Sequence, residues 1–532
     1  MKSLKICRLM ILVLSALLLI SACGSSSSDS PAATTTLTGS VFASSVSGAS
    51  VVVKDSAGAT IAGPVTTSAD GSFSVAVPNS ALAGTLQFQA TGGTYADEMT
   101  GTTTTAGTLA AYATAGSVTA TVSINPATTI IHSLISQYSK TAGEAQTLFN
   151  SSFGFTPDLS VASKNTPSTG GSKAERLAAF RAGAFSKLTQ DLGLAPDRQA
   201  DLIAALAQDL ADGALDGKNG TTLISLGSYT VDIQNRFDQA LVSYLSDTMH
   251  NLTGVLPGEI GDLAFGKVAF TTNYKLEYIP GTMAPAEGKT TFKIRVTDRA
   301  SGSPVTGLSL SLMPLMYMDD RKHTSPADVV TEDTANQGTY NCTVYYLMGS
   351  GPDMGFWEIK VTVGSGMSGE SAKFFPFVSM YMGMGDTPKF NLYGGTSDLR
   401  SNNMRRFYFL FNDGLTSGMT STFNLYIAAM DSMMSMPFLT AGTLLNGPSG
   451  TTWTVNPATT SLQASLSPSF ASAVTGSDCG GGHWTIPGIN LSSGMTNTVY
   501  IKLTVNGEVK TQGTSTTADQ FATFLLSPGM GM

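Results

Sequence analysis

The chain has 532 residues, too many for one hydrophobic core, and a division into roughly three to five domains is expected. Only 12% of residues are charged and the net charge is −8, with no block of Lys or Arg beyond the first residues; this excludes nucleic acid as a partner, because phosphate binding needs a concentrated basic face. Abundant Gly, Ser, Thr and Ala suit exported β-domains with many turns better than a cytosolic enzyme.

Lys2, Lys5 and Arg8 precede the apolar run Leu9 to Ile20, "LMILVLSALLLI". That run is too short for an ordinary membrane span, so residues 1–22 are expected to be a signal peptide. Ile20-Ser21-Ala22-Cys23 resembles the lipobox of bacterial lipoproteins. The resemblance implies that Cys23 becomes the first mature residue and carries acyl chains that anchor the protein to a membrane; a plain secretory signal with an incidental cysteine is the alternative. Gly24 following Cys23 resembles the outer-membrane sorting pattern, which implies a bacterial envelope location, on the periplasmic or the surface face. Residues 23–36, with "SSSSDSPAATTT", are expected to form a flexible tether.

From 37 to 124 the pattern is short β-runs with turns. Asp70-Gly71 is followed by Phe73, Val75 and Val77 in period-two alternation, a half-buried antiparallel strand. The order of an apolar strand, a turn, "TTSADGSFSVAVP" and "GGTYADE" resembles the carboxypeptidase-regulatory-like β-sandwich family, which implies a spacer or presenter module without catalysis.

Residues 125–257 change to helical period. Asn125 is a candidate N-cap with Pro126 at the first helical position. Ser172 and Glu175 form a capping-box pattern before Leu177, Phe180, Ala184, Leu188 and Leu192, and Gly193 supplies a stop. Further stripes run Leu202, Leu206, Leu210 and Ile233, Phe237, Leu241, Leu245, so a small bundle is expected. Asp209, Asp212, Asp216 and Asn219 could line a calcium loop, but the register and closing glutamate of an EF-hand are missing, and an exposed turn is the favoured reading.

Two related β segments follow, 268–388 and 389–532. Each has a strand, a methionine-rich stretch and later a Trp that opens a strand, as in tandem sandwich modules. The whole is therefore expected to be multidomain and mainly β: antiparallel β-sandwiches with an intervening small α-helical domain. Met316 and Met318, Met380, Met382 and Met384, and Met434 and Met436 are spaced by two, which on a strand puts each set on one face. Such a row offers soft, neutral ligands suited to Cu(I). From the spacing alone, core packing or a flexible contact surface is the favoured reading and the soft-metal site the second, with reversible oxidation of surface thioethers a third.

The segment "SLMPLMYMDDRKH … QGTYNCTVYYLM … GFWEIKVTV" resembles the YtkA-like and FixH-like periplasmic β-sandwiches. That likeness implies an envelope module associated in places with copper, with Met313, Met316, Met318 and His323 as candidate ligands and Gly338, Tyr340, Gly355 and Trp357 as scaffold. His323 lies beyond "DDRK" instead of closing the Met-rich turn, a departure from the family pattern. In the last module "SDCGGGHW" offers Cys479 and His483 as a soft-metal pair. Once Cys7 leaves with the signal and Cys23 is lipidated, Cys342 and Cys479 remain; they could pair as a disulfide, bind metal or stay as thiols.

No HExxH or G-x-S-x-G occurs, and the glycine required upstream of "EGKTTF" is two positions too early for a phosphate loop, so neither catalysis nor nucleotide binding is expected. The expectation is an envelope-anchored, non-catalytic binding protein, with Cu(I) as the most specific ligand and an envelope protein as another partner. An adhesion or scaffold lipoprotein without metal is the rival.

Overall fold

Alternation of apolar and hydroxyl side chains builds the first sheet. The strand Ser72–Pro78 buries Phe73, Val75 and Val77 and turns Ser72, Ser74 and Ala76 outward. It pairs antiparallel with Thr34–Val41, which pairs parallel with Thr121–Ile124. Gly39 lies opposite Phe73, and a Cβ there would meet the ring at 2.3 Å, so the glycine makes room for the aromatic side chain. A second sheet, ordered Thr60–Thr66, Ser50–Lys54, Leu86–Thr91 and Thr108–Ala113, completes the sandwich. The structure, a computed structural model, describes residues 33–528 except 119, 167–169, 365–368, 417–419 and 516. The expected signal peptide and the lipidation site Cys23 lie outside the described residues. The first strand starts inside the expected tether, because Thr34, Thr35 and Thr36 pair with Pro78, Val77 and Ala76.

Five longer helices follow: Pro126–Ser136, Ala142–Phe153, Lys173–Asp191, Gln199–Leu210 and Ile233–Ser246. Asn125 and Ser172 cap the first and third with reciprocal side-chain and backbone bonds. The second, absent from the expected stripes, starts at the same kind of capping box, formed by Thr141 and Glu144. These helices do not pack as an independent bundle. Val53 and Phe88 of the sandwich share one apolar core with Ile130, Phe149, Phe180 and Phe237. Polar contacts stitch the layers together: Ala110 N–H donates to Thr129 Oγ1 at 2.9 Å and Thr128 Oγ1 donates to the Ala110 carbonyl at 2.9 Å. Glu98 lies partly buried at this junction, accepting from Ser186 Oγ at 2.7 Å, and desolvation of the carboxyl pushes it up to about 8.

The third module has a five-stranded sheet, Val268–Phe270, Tyr274–Pro280, Gly288–Asp298, Thr339–Tyr346 and Thr331–Glu332. Facing it is a four-stranded sheet ordered Lys322–Thr324, Leu310–Tyr317, Phe356–Val363 and Glu370–Phe374. Its outer face is not idle, since Tyr317 and Phe356 stack at 4.9 Å within the core shared with the helices. The helix Ile233–Ser246 grips the connection. Asn235 Nδ2 donates to the carbonyls of Gly266 and Lys373, and Asp238 accepts from the N–H groups of Ala264 and Gly266. Burial raises Asp238 to about 7.

The last module pairs Lys389–Tyr393, Phe407–Thr416, Ser421–Ala429, His483–Ile489 and Ser477–Gly480 in one sheet. A second sheet is centred on Asn497–Val505, and Leu425, Trp484, Ile501 and Phe524 fill the space between. The protein is thus mainly β, multidomain and largely antiparallel, with one helical layer. Among the described residues no helix is long and apolar enough to cross a membrane.

Candidate functional site

The four-stranded sheet of the third module brings together residues that sequence spacing left apart. A tight turn, closed by Met318 N–H donating to the Arg321 carbonyl at 3.0 Å, folds Lys322–Thr324 back on Leu310–Tyr317. Met316 then lies directly across from His323 on one side and from Trp357 on the other. Register partners project to the same face of a sheet, so His323, Met316 and Trp357 form a row across three strands. Met316 and Trp357 are both 0% exposed and His323 is 7% exposed, and Met318 packs against the same core, partly buried.

His323 is held in one tautomer. Its Nδ1 lies 2.8 Å from the Thr324 carbonyl, an acceptor only, so Nδ1 carries the proton and Nε2 keeps the lone pair. No hydrogen bond to Nε2 occurs among the described residues. Burial, helped by the nearby Arg321, lowers the pKa below the ordinary imidazole value, which keeps the ring neutral. The Trp357 ring meets the imidazole edge-on at 5.4 Å and is itself fixed by donating Nε1–H to the Met348 carbonyl at 3.0 Å. A neutral nitrogen lone pair and a thioether at paired positions of adjacent strands are donor types that suit a soft monovalent cation, since neither must lose a proton to bind.

The other expected ligands fall elsewhere. Met313 is three positions from Met316 and takes the opposite, solvent face of the strand. Met380, Met382 and Met384 are not on a strand: Gly383 and Gly385, with φ of 78° and 80°, turn the chain into a loop, so spacing by two does not give a common face. Their side chains are exposed, 76% for Met382 and 82% for Met384. The loop is pinned beside the one carrying exposed Met283 by Ser379 N–H donating to the Pro285 carbonyl and by Tyr381 N–H donating to Glu287.

The pairing of Cys479 with His483 needs correction. His483 Nδ1 lies 3.0 Å from Asp413 and Nε2 lies 3.0 Å from Asp328, so both ring nitrogens are spent on carboxylates. Asp328 belongs to the third module and Asp413 to the last, which makes the imidazole a clasp between them. Tyr345 donates to Asp413 at 2.8 Å and stacks on Tyr426 at 3.9 Å, and Lys289 pairs with Asp413 at 2.8 Å. Burial alone would raise the Asp413 carboxyl, but Lys289, Tyr345 and His483 hold it below its usual value. The lysine of "EGKTTF" is this Lys289, on a strand and committed to Asp413. Neither aspartate stood out in the sequence, where they lie 155 and 70 positions from His483.

The disulfide is also corrected. Cys342 and Cys479 are free thiols, the first inside the third module's core and the second exposed on a strand of the last module. Burial pushes the Cys342 thiol up to about 12, leaving it an inert core residue. The loop weighed for calcium spends its oxygens internally. Asp209 accepts from the N–H groups of Asp216, Gly217 and Lys218 and from Tyr229, and Asp212 accepts from Ala214 and Gly220. Among the described residues no three His, Cys, Asp or Glu side chains converge to hold a metal ion.

A further buried cluster sits in the last module. Arg406, 0% exposed, donates to Asp398 at 3.0 Å and to Asp431, and Lys510 donates to Asp398 at 2.8 Å. Tyr408 donates to the same carboxylate at 2.6 Å, and Arg406 Nη2 reaches the Asn446 carbonyl at 2.7 Å. These charges satisfy one another and make a structural lock.

No family model and no curated protein matches the chain. Among solved structures, the Escherichia coli adhesin FdeC is 13% identical with a TM-score of 0.15, over 49% of this chain and 66% of that one. The titin domains Z1Z2 in complex with telethonin are 8% identical over 50% of this chain and 98% of that one, with a TM-score of 0.12. TarS of S. aureus is 11% identical over 60% of this chain and 59% of that one, with a TM-score of 0.15.

Proposed function

We propose that the chain is an envelope-anchored lipoprotein, held by acyl chains on Cys23, that acts as a non-catalytic binding protein for Cu(I). The single observation that carries the metal reading is the position of His323: across from Met316, neutral, with Nε2 uncommitted. In this reading Nε2 and the Met316 sulfur take the ion, Met318 is the nearest further thioether in the same core, and Trp357 walls the site from water. The exposed loop with Met380, Met382 and Met384 supplies a second, solvent-side set of thioethers that can capture or hand over the ion. Titration of the purified mature protein with Cu(I) under reducing conditions, against a chromogenic chelator, tests it. One tight equivalent that disappears in His323→Gln and Met316→Leu is expected; equal binding by both variants refutes the site.

The rival reading, a scaffold or adhesion protein without metal, is favoured by a different feature. The His483 clasp and the shared apolar core tie successive modules into a stiff series, which is what a presenting stalk requires. Full function of the metal-silent variants in cell attachment would favour it.

A further inference from the structure

We infer that a cavity lined by the third helix and the start of the first is a binding site for a small molecule with an apolar body and a single carboxylate. The cavity has a volume of about 130 Å³. One wall is the helix Lys173–Asp191, where Ala174, Leu177, Ala178, Arg181 and Ala182 recur at helical spacing and so share one face. Phe155 and Val161, from the segment that joins the second helix to the third, line it as well.

Arg181 is out of place in such a lining. It is half-buried and forms no ion pair among the described residues, and its one hydrogen bond there is long, from Nη2 to the Ile260 carbonyl at 3.4 Å. The guanidinium lies over the Phe155 ring at 4.4 Å, and that ring is fixed edge-on against Phe149 at 5.2 Å. Burial pushes the guanidinium down to about 10, with no neighbouring carboxylate to offset it. Arg176 on the same helix behaves differently: it pairs with Glu259 at 3.6 Å and donates to the carbonyls of Thr253 and Gly254. Nε and Nη1 of Arg181 have no partner among the described residues, and neither is sealed from solvent, so a molecule in the cavity can reach them. A partly desolvated cation without a counter-charge is costly, and a carboxylate matches the free edge of a guanidinium with two parallel bonds.

The remaining groups set the rest of the ligand. Arg181 is the one basic side chain of the lining, and the exposed Asp158, which accepts from the N–H and Oγ of Ser160 at 2.8 and 2.7 Å, adds a negative charge. One cation beside one anion favours a monoanion over phosphates and other dianions. Asn125 has no amide to spare, since its Oδ1 accepts from Thr128 N–H at 3.0 Å and its Nδ2 donates to Ser123 Oγ at 3.2 Å. Most other lining side chains are apolar, so the body of the ligand is apolar too. A cavity of about 150 Å³ accepts benzene, which sets that body at about six carbon atoms. For a molecule of this size a dissociation constant of about a millimolar or tighter is expected.

The test is titration of the mature protein with benzoate and with hexanoate, followed by saturation-transfer NMR, with benzamide and benzenephosphonate as controls. Binding of at least one of the two acids is expected, weakened about tenfold or more in Arg181→Met, which keeps the length of the side chain and removes the charge. Ala178→Leu fills the cavity and leaves the guanidinium in place, and it should weaken binding by a similar factor; it serves if the arginine variant fails to fold. No binding of either acid, benzamide binding as well as benzoate, preference for the phosphonate, or undiminished binding in the folded variants would each overturn the inference. Met316→Leu should leave acid binding unchanged, so this result stands apart from the copper reading.

Discussion

His323 and His483 sit in neighbouring sandwich modules, each beside aromatic rings, yet their ring nitrogens are used in opposite ways. His483 has a carboxylate on each nitrogen and ties two modules together. His323 spends one nitrogen on a backbone carbonyl and leaves the other without a hydrogen bond among the described residues, on the strand position that pairs with Met316. The contrast separates a histidine that holds structure from one that can bind: what matters is whether a lone pair remains after the hydrogen bonds are satisfied. By the same test Arg406, Asp398, Asp431 and Lys510 are structural, because each of these has an opposite charge in reach.

Substitutions can break this division, and the largest effect belongs to the structural side. Arg406→Leu leaves Asp398 and Asp431 buried with part of their partnership gone, and a loss of about 3–5 kcal/mol in denaturant unfolding is expected. Cu(I) binding at the proposed site should persist in whatever folds, since the last module contributes none of the residues proposed to hold the ion.

Next comes the carboxyl at the junction of sandwich and helices. Glu98 has its folded-state pKa raised from 4.5 to about 8. The folded protein therefore holds this proton more tightly than the unfolded chain, and stability is full below the unfolded value and falls as pH rises through about 8. The loss is on the order of a few kcal/mol. Glu98→Gln can still accept from Ser186 and never ionises, so its melting temperature should flatten over that pH window; an unchanged slope would show that Glu98 is not the titrating group.

Smaller effects sharpen the comparison of the histidines. His483→Gln should cost about 1 kcal/mol, since part of the clasp is open to solvent, and should leave copper stoichiometry untouched. Met316→Leu conserves volume and should cost less than about 1.5 kcal/mol while removing the proposed sulfur ligand. If instead the leucine variant binds copper normally and the His483 variant does not, the roles are reversed.

Local features were legible in the sequence. Asn125-Pro126 and Ser172 with Glu175 announced helix starts, because capping depends on neighbours within one turn. Alternation announced Ser72–Pro78, because one face of that strand meets the core. Thr141 with Glu144 carries the same capping signal ahead of Ala142–Phe153. The alternating methionines at 380 to 384 misled, because strand and glycine-broken loop share that spacing and only backbone pairing tells them apart. Met316 and Met318 were readable as one face, but not the turn that returns His323 to it. The aspartates flanking His483 come from distant strands, and no local pattern encodes such a meeting. The core shared by the first sandwich and the helices was equally hidden, since each segment looks self-sufficient along the chain.

The most direct test is a Cu(I) titration of the mature protein beside His323→Gln and His483→Gln, read by chelator competition and by quenching of tryptophan emission as the ion fills the site beside Trp357. The account predicts one equivalent with quenching in the parent and in the His483 variant, and loss of both signals in the His323 variant. Equal binding and equal quenching in all three would contradict it.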